Sequence, residues 1–409
     1  MSWTPPKRPV WADRLIAHGE AVGGAQHLVS LAADELLAEA TRSTGLSDFG
    51  GDAWRPHFDL LLRSLEEEAG LHLLGRTLVR TEILQALRNR LRLAELWSAR
   101  PAILEARIES PVFIVGSPRS GTSILHELMA CDPASRAPAM WEMAHPLGGA
   151  ECAELADRVT QFWHDLQPEY ETMHANSGHL PNECIFITLH EFLSDHWGGC
   201  HVVPAYDAHL AATDQRPAYR FHKRFLQTLQ ARGESPRDER WLLKAPSHLS
   251  QLRTLFDIYP DARIVRTHRD PLKTLPSTIS LMGTLKWMRC REVDMSTASK
   301  LMPAGYAYLY QNEIEARAAG TLPDERFVDV HFADLVRDPG GTVEGVYAKL
   351  GWPFPQSVRD DIADYAAHKP KGSRGTHRYS LEEVGIDAGE ERERFRFYME
   401  RYGVAEEAP

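Results

Sequence analysis

The stretch 112-VFIVGSPRSGTSILHELMA-130 passes from four apolar residues, through a Gly- and hydroxyl-rich turn, into a run with helical spacing. Val112 to Val115 has the length and composition of a strand buried on both faces. Apolar residues after Thr122 recur as on one helix face, to about Ala130. A strand, a glycine turn and a helix start in that order make a phosphate cradle. Backbone N–H groups at the helix start and the hydroxyls of Ser120, Thr122 and Ser123 can surround an anion. In the nucleotide pattern G-x-x-x-x-G-K-[ST], the lysine reaches the β- and γ-phosphates. Gly116 and Gly121 keep that spacing, but Thr122 stands at the lysine position and Arg119 is the loop's cation. The clamp on a triphosphate chain is missing.

Working outward, more short apolar runs follow, each leading into a helical pattern. Trp241 to Lys244 precedes a helix from near Ser247 to about Ile258, and Arg263 to Thr267 precedes one after Pro271. Phe327 to His331 precedes one through Val343 to Leu350. Continuous apolar strands each followed by a helix predict a parallel sheet covered on both faces. The fold class is α/β, P-loop-like, over 110–409. Residues 1–109 read differently, as a helical extension. In 58-FDLLLRSLEEEAGLHLLGRTLVRTEILQALRNRLRLAELW-97, apolar residues recur at three and four, with interruptions at Gly70 and Gly75. Such faces suit packing on the core or on a second copy of the chain, so a homo-oligomer through these helices is one expectation.

Composition narrows the class. The chain of 409 residues is 43% hydrophobic and 25% charged, as ordinary globular proteins are. Its net charge of −11 argues against a nucleic-acid partner. The five cysteines are scattered without a C-x-x-C pair, which points to a reducing, cytoplasmic setting rather than disulfides or structural zinc. The start MSWTPPKRPVWADR lacks the apolar run of a signal peptide, and no transmembrane segment is expected.

The loop resembles the 5′-phosphosulfate loop of sulfotransferases that use 3′-phosphoadenosine 5′-phosphosulfate (PAPS), where P-[KR]-S-G-T replaces the lysine arrangement. PRSGT, Pro118 to Thr122, fits that pattern. The family's 3′-phosphate motif is a strand, an Arg, a turn with Pro, and a Ser eight positions after the Arg. In 263-RIVRTHRDPLKTLPS-277, Arg269 and Ser277 have that separation. The C-terminal loop of the family, R-K-G-x-x-G-D-W-K, resembles 370-PKGSRGTHR-378, with Pro370 departing from the leading arginine. The segment 332-FADLVRDPGGTVEGVYAKLGWP-353 is similar to the stretch before that loop. Three ordered motifs cover about residues 110 to 390. The first hundred residues resemble the helical leader of bacterial members more loosely.

The resemblance implies PAPS as co-substrate and PAP as product, without a metal. PAPS carries phosphates at two ends of one ribose, so two cationic sites are expected. Arg119, Ser120, Gly121, Thr122 and Ser123 are expected at the 5′ end. Arg269, Ser277, Lys371, Gly372, Arg374 and Arg378 are expected at the 3′ end. Lys244 resembles the strand-end lysine of K-T-H-L-P that contacts the sulfuryl oxygens, but the family's His is replaced by Pro246. Other branches, including tyrosylprotein and heparan N-deacetylase/N-sulfotransferases, use a Glu downstream of the loop. The stretch 138-PAMWEMAHP-146 offers Glu142 as that Glu, the first candidate for the base. Trp141 and Met143 beside it form an apolar setting suited to proton uptake. His179 in 178-GHLPNE-183 is the next candidate base, followed by His248 and Glu183.

The function implied is transfer of a sulfuryl group to a hydroxyl, or less readily an amine, of a small-molecule, lipid or sugar acceptor. The acceptor pocket is expected within 154–230, among Trp163, Tyr170, Phe186, Phe192, Trp197 and Tyr206. A P-loop small-molecule kinase would need the missing lysine, Mg²⁺ and a metal-holding acid after a strand. A catalytically inactive PAP-binding protein is the other alternative, against which Arg119, Lys244 and Glu142 together argue.

Overall fold

The structure, a computed structural model, describes residues 3–173, 176–232, 239–368, 377 and 379–407. Five strands form one sheet: β1 (Val112–Val115), β2 (Ser135–Arg136), β3 (Arg240–Lys244), β4 (Arg263–His268) and β5 (Phe327–His331). Their order is β2-β3-β1-β4-β5, and all four pairings are parallel. Alternate residues of β1 feed opposite cores. Val112 and Ile114 pack with Leu125, Val265 and Val343, while Phe113 and Val115 pack with Leu243, Ile264 and Ile279. Full burial of each such side chain is worth about 1.5–3 kcal/mol, which explains why the four-residue strand carries no polar position.

β1 is the central strand, and the chain visits its two sides in turn. Chain crossovers therefore diverge at its C-terminal end, where open α/β sheets bind ligands. Register brings the expected Lys244 to that end, opposite Ile114, and on the other side Val115 lies opposite Arg266, three residues before Arg269. β2 is a two-residue edge strand that the apolar pattern does not reveal. The segment after β3 begins as a 3₁₀ turn, Pro246–Gln251, before the helix Leu252–Ile258.

The apolar stretch 58–97 falls in two helices rather than one interrupted pattern, Arg55–Glu67 and Leu73–Ala99. Gly70 turns the chain between them with φ +55°. Gly75, expected as a break, lies inside the second helix, where a Cβ would collide with the carbonyl of Arg289. It is a close approach, not a break. Phe58, Leu61, Val79, Ile83 and Leu87 share one core with Phe192, Trp197 and Tyr206. The change of pattern at residue 110 is thus bridged by packing. Among the described residues no helix is long and apolar enough to cross a membrane.

Candidate active site

The Gly-rich turn lies at the end of β1, between β3 and β4. Ser120 Oγ donates to the carbonyl of Ser117 at 2.6 Å and lies 2.7 Å from Thr267 Oγ1 at the end of β4. This pair fills the space beside Gly116, where any Cβ would strike both hydroxyls. Gly121 has φ +93° and lies so close to Phe332 that a Cβ would be 2.7 Å from its ring. Arg119 itself has φ +68°, a left-handed conformation uncommon for a residue with a side chain. Strain of that kind concentrates at ligand clamps. The helix Thr122–Met129 starts from Gly121 with no side-chain cap, so its first N–H groups point into the turn.

The two arginines meet. Arg119 Nε donates to Ser277 Oγ at 3.0 Å and Nη1 to the carbonyl of Met173 at 2.6 Å. Arg269 Nη1 donates to the backbone carbonyl of Arg119 at 2.8 Å, and its guanidinium stacks 3.8 Å from the Phe332 ring centroid. Burial pulls Arg119 below the usual guanidinium range, and the neighbouring Arg269 charge acts in the same direction. Ser277, expected with Arg269 at one end of the ligand, touches Arg119, expected at the other. The two groups of residues are contiguous.

On the opposite side of the loop, Lys244 closes β3 and is 2% exposed. Its Nζ donates to Ser123 Oγ at 3.2 Å and to Glu183 Oε1 at 2.7 Å. The chain after Glu183 is tied to the same point, since Cys184 N–H donates to the Lys244 carbonyl at 2.8 Å. Glu142 lies elsewhere. Its carboxylate takes both terminal nitrogens of Arg136 and accepts the Ala139 N–H at 2.9 Å, closing the start of its own short helix. The apolar setting expected from Trp141 and Met143 is thus overridden by a guanidinium and a helix N-terminus. The two stretches do adjoin: Met140 and Trp141 donate to the carbonyls of Leu180 and Gly178. The 138–142 segment holds 178–183 in place, and Glu183 is the carboxylate that reaches the lysine.

Comparison with known proteins places the chain in a family. Residues 111–356 match the sulfotransferase family, over more than half of the chain. The chain belongs to the sulfotransferase family. Two similar proteins are the omega-hydroxy-beta-dihydromenaquinone-9 sulfotransferases Stf3 of Mycobacterium bovis and Mycobacterium tuberculosis. Each is 25% identical over 287 residues, covering 64% of this chain and 69% of the relative. Among solved structures, sulfotransferase STF9 of Mycobacterium avium aligns with TM-score 0.80 and 25% identity, covering 92% of this chain and 98% of that one. Sulfotransferase STF1 of Mycobacterium tuberculosis H37Rv aligns with TM-score 0.71 and 28% identity, covering 89% and 98%.

Other expected residues of this sulfotransferase lie in varied settings. His179 is exposed in the turn between Ser177 and Leu180. His248 is packed edge-on against Phe113, lies 2.6 Å from the Tyr219 hydroxyl, and is pushed far below the usual imidazole range by burial. Of the aromatics expected around an acceptor, Phe192, Trp197 and Tyr206 belong to the N-terminal core. Lys371, Gly372, Arg374 and Arg378 lie outside the described residues. His377, in the same stretch, lies 2.9 Å from Ser280 Oγ, its pKa lowered to about 4 by burial and then by the Arg119 charge. Asp195 carries no motif and the sequence reading passed it over. It opens the helix Asp195–Cys200, and its carboxyl pKa is raised above the usual carboxylate range by desolvation, with the charge of Glu183 adding to the rise.

Proposed function

We propose that this sulfotransferase moves a sulfuryl group from PAPS to a hydroxyl, less readily an amine, of an apolar acceptor in a reducing, cytoplasmic setting. The observation that carries the reading is Lys244 Nζ, held between Ser123 of the phosphate loop and the carboxylate of Glu183. One lysine then touches both the donor side and the acceptor side of a transfer. The residues fit PAPS: the space at Gly116 admits backbone but no Cβ, and Arg119 and Arg269 stand together beside the loop. PAPS supplies an activated sulfuryl group whose leaving group is a phosphate.

The chain's own residues supply positioning and charge. Ser120, Thr122 and Ser123 with the helix start hold the 5′-phosphate, and Arg269 takes the 3′-phosphate with Ser277 and the 371–378 stretch. Arg119 lies where it serves both. Lys244 stabilises charge on the equatorial sulfuryl oxygens as the S–O bond to phosphate breaks and the S–O bond to the acceptor forms. The acceptor's proton passes to a carboxylate. We assign that role to Glu183 rather than Glu142, because Glu183 contacts Lys244 whereas Glu142 is closed off by Arg136.

The Stf3 relatives are named for a lipid carrying a terminal hydroxyl. A long apolar alcohol is the acceptor class we propose here. The test is incubation of purified protein with PAPS and pooled lipid alcohols, sterols and glycosides, reading products by the mass gain of one SO₃. A sulfated lipid alcohol is the expected product. Transfer to sugars alone would contradict the acceptor class, and phosphorylation from ATP with Mg²⁺ would contradict the reaction.

A further inference from the structure

The guanidinium fork assigned above to the 3′-phosphate is already in use within the chain. Arg269 Nε and Nη2 donate to the two carboxylate oxygens of Glu407 at 2.7 and 2.9 Å, a bidentate pair. Glu407 follows the helix Ala388–Tyr402, and its position is fixed from two directions. Its own N–H donates to Asp270 Oδ2 at 3.0 Å, and Arg392 of that helix donates to Asp270 Oδ1 at 3.0 Å. Asp270 in turn caps the helix Pro271–Trp287 that carries Ser277, accepting the Leu272 N–H at 2.9 Å. The segment is therefore held beside the arginine rather than meeting it by chance of a long side chain.

A carboxylate and a phosphate ask for the same two donors in the same plane. Nη1 of Arg269 is committed to the Arg119 carbonyl, so the Nε–Nη2 edge is the one that can take a bidentate anion. Two anions on that edge would repel. The Glu407 side chain is 29% exposed and Arg269 is 15% exposed, so the pair is open to exchange with an incoming anion.

We propose that Glu407 competes with the nucleotide's 3′-phosphate for Arg269, so that binding of PAPS or PAP releases residues 404–407 and re-pairing of Glu407 assists departure of PAP. This rests on the nucleotide reading given above and deepens it by naming a residue that weakens the hold on the 3′-phosphate. A nucleotide without a 3′-phosphate leaves the Arg269–Glu407 pair in place. The cost of opening it falls only on 3′-phosphorylated ligands.

The experiment is calorimetric titration of PAP and AMP into wild type, Glu407→Gln and Arg269→Ala, with hydrogen exchange at 404–407 before and after PAP. Thermal unfolding confirms that each variant is folded, and Glu407→Asp, which shortens the reach, serves as a second test. The expected result is PAP binding about tenfold tighter in Glu407→Gln, the worth of one charge-assisted contact, with AMP changed less than about twofold. Glu407→Asp falls between, and wild-type amides at 404–407 lose protection when PAP binds. Unchanged or weaker PAP binding in Glu407→Gln, with PAP binding lost in Arg269→Ala, overturns the competition but keeps the 3′-phosphate site. Unchanged PAP binding in Arg269→Ala overturns both.

Discussion

β2 ends at Arg136 and its neighbour β3 ends at Lys244, and each cation holds a glutamate at hydrogen-bond distance. Arg136 gives two nitrogens to Glu142 and directs its Nε toward Glu239 at 3.7 Å, while stacking over Trp241. Glu142 spends its remaining capacity on a backbone N–H. Every group in that set is used inside the protein. Lys244 gives one bond to Glu183 and one to Ser123, a hydroxyl of the phosphate loop. An ammonium carries three donors, so one can be aimed at a ligand. The same pairing of charges makes a brace at the sheet edge and, one strand inward, a junction with the Gly-rich loop. What separates them is the neighbour: an edge strand has only protein to hold, whereas β3 adjoins the loop.

The largest effect that would break this contrast is on turnover. Glu183→Gln keeps the shape and hydrogen-bonding reach but removes the basicity, and should slow turnover by roughly a hundredfold to ten-thousandfold. PAP affinity should change little, since Glu183 is not among the residues proposed to hold the nucleotide. The measurement is steady-state turnover on the acceptor found by screening. A slow Glu142→Gln enzyme beside an active Glu183→Gln enzyme would return the proton-accepting role to Glu142.

Stability sharpens the same comparison in the other direction. Glu142→Gln leaves Arg136 half-buried with a weakened partner and should cost about 1–3 kcal/mol in urea unfolding, with turnover per folded molecule close to wild type. A variant as stable as wild type would show that the brace is not structural.

A third effect is read in acid. His126 lies on the buried face of the loop helix, 3.2 Å from the Leu242 carbonyl, with its pKa lowered to about 3 by burial and then by the Lys244 charge. Its folded pKa is below its unfolded one, so the unfolded chain takes up the proton first. Stability is then full above about pH 6.5 and falls toward pH 3, by about 1.4 kcal/mol per pH unit for each such group. His126→Gln should flatten that acid limb by one proton, and an unchanged slope would contradict the buried neutral imidazole. The smallest effect is expected at His179, exposed in its turn. His179→Ala should stay within about 0.5 kcal/mol in stability, as surface substitutions do, and near wild type in turnover.

Much of this arrangement was legible in the chain because it rests on local signals. The four apolar strands, the PRSGT turn and the Arg269–Ser277 spacing are consequences of burial, backbone geometry and periodicity, and the structure has the strands where the pattern put them. β2 has two residues, one of them charged, and offers no period to read. The choice between Glu142 and Glu183 is non-local. It depends on which carboxylate the pairing of 138–142 with 178–182 brings to Lys244, and nothing in either stretch encodes the partner. Arg136 is six residues from Glu142 and could have been suspected as its partner; Lys244 is far from Glu183 in sequence. Gly75 was misread for the same reason, since the carbonyl that forbids a Cβ there belongs to Arg289.

In the function proposed here, this loop and its two arginines hold a nucleotide phosphorylated at both ends, without the triphosphate clamp. The most direct measurement is calorimetry of PAP, AMP and ATP on the wild-type protein with divalent ions removed by chelation. PAP should bind without metal and exceed AMP by about 1.5–3 kcal/mol, the scale of a hydrogen-bonded contact to a charged group. Equal affinity for PAP and AMP, or ATP binding that appears only when Mg²⁺ is restored, would contradict it.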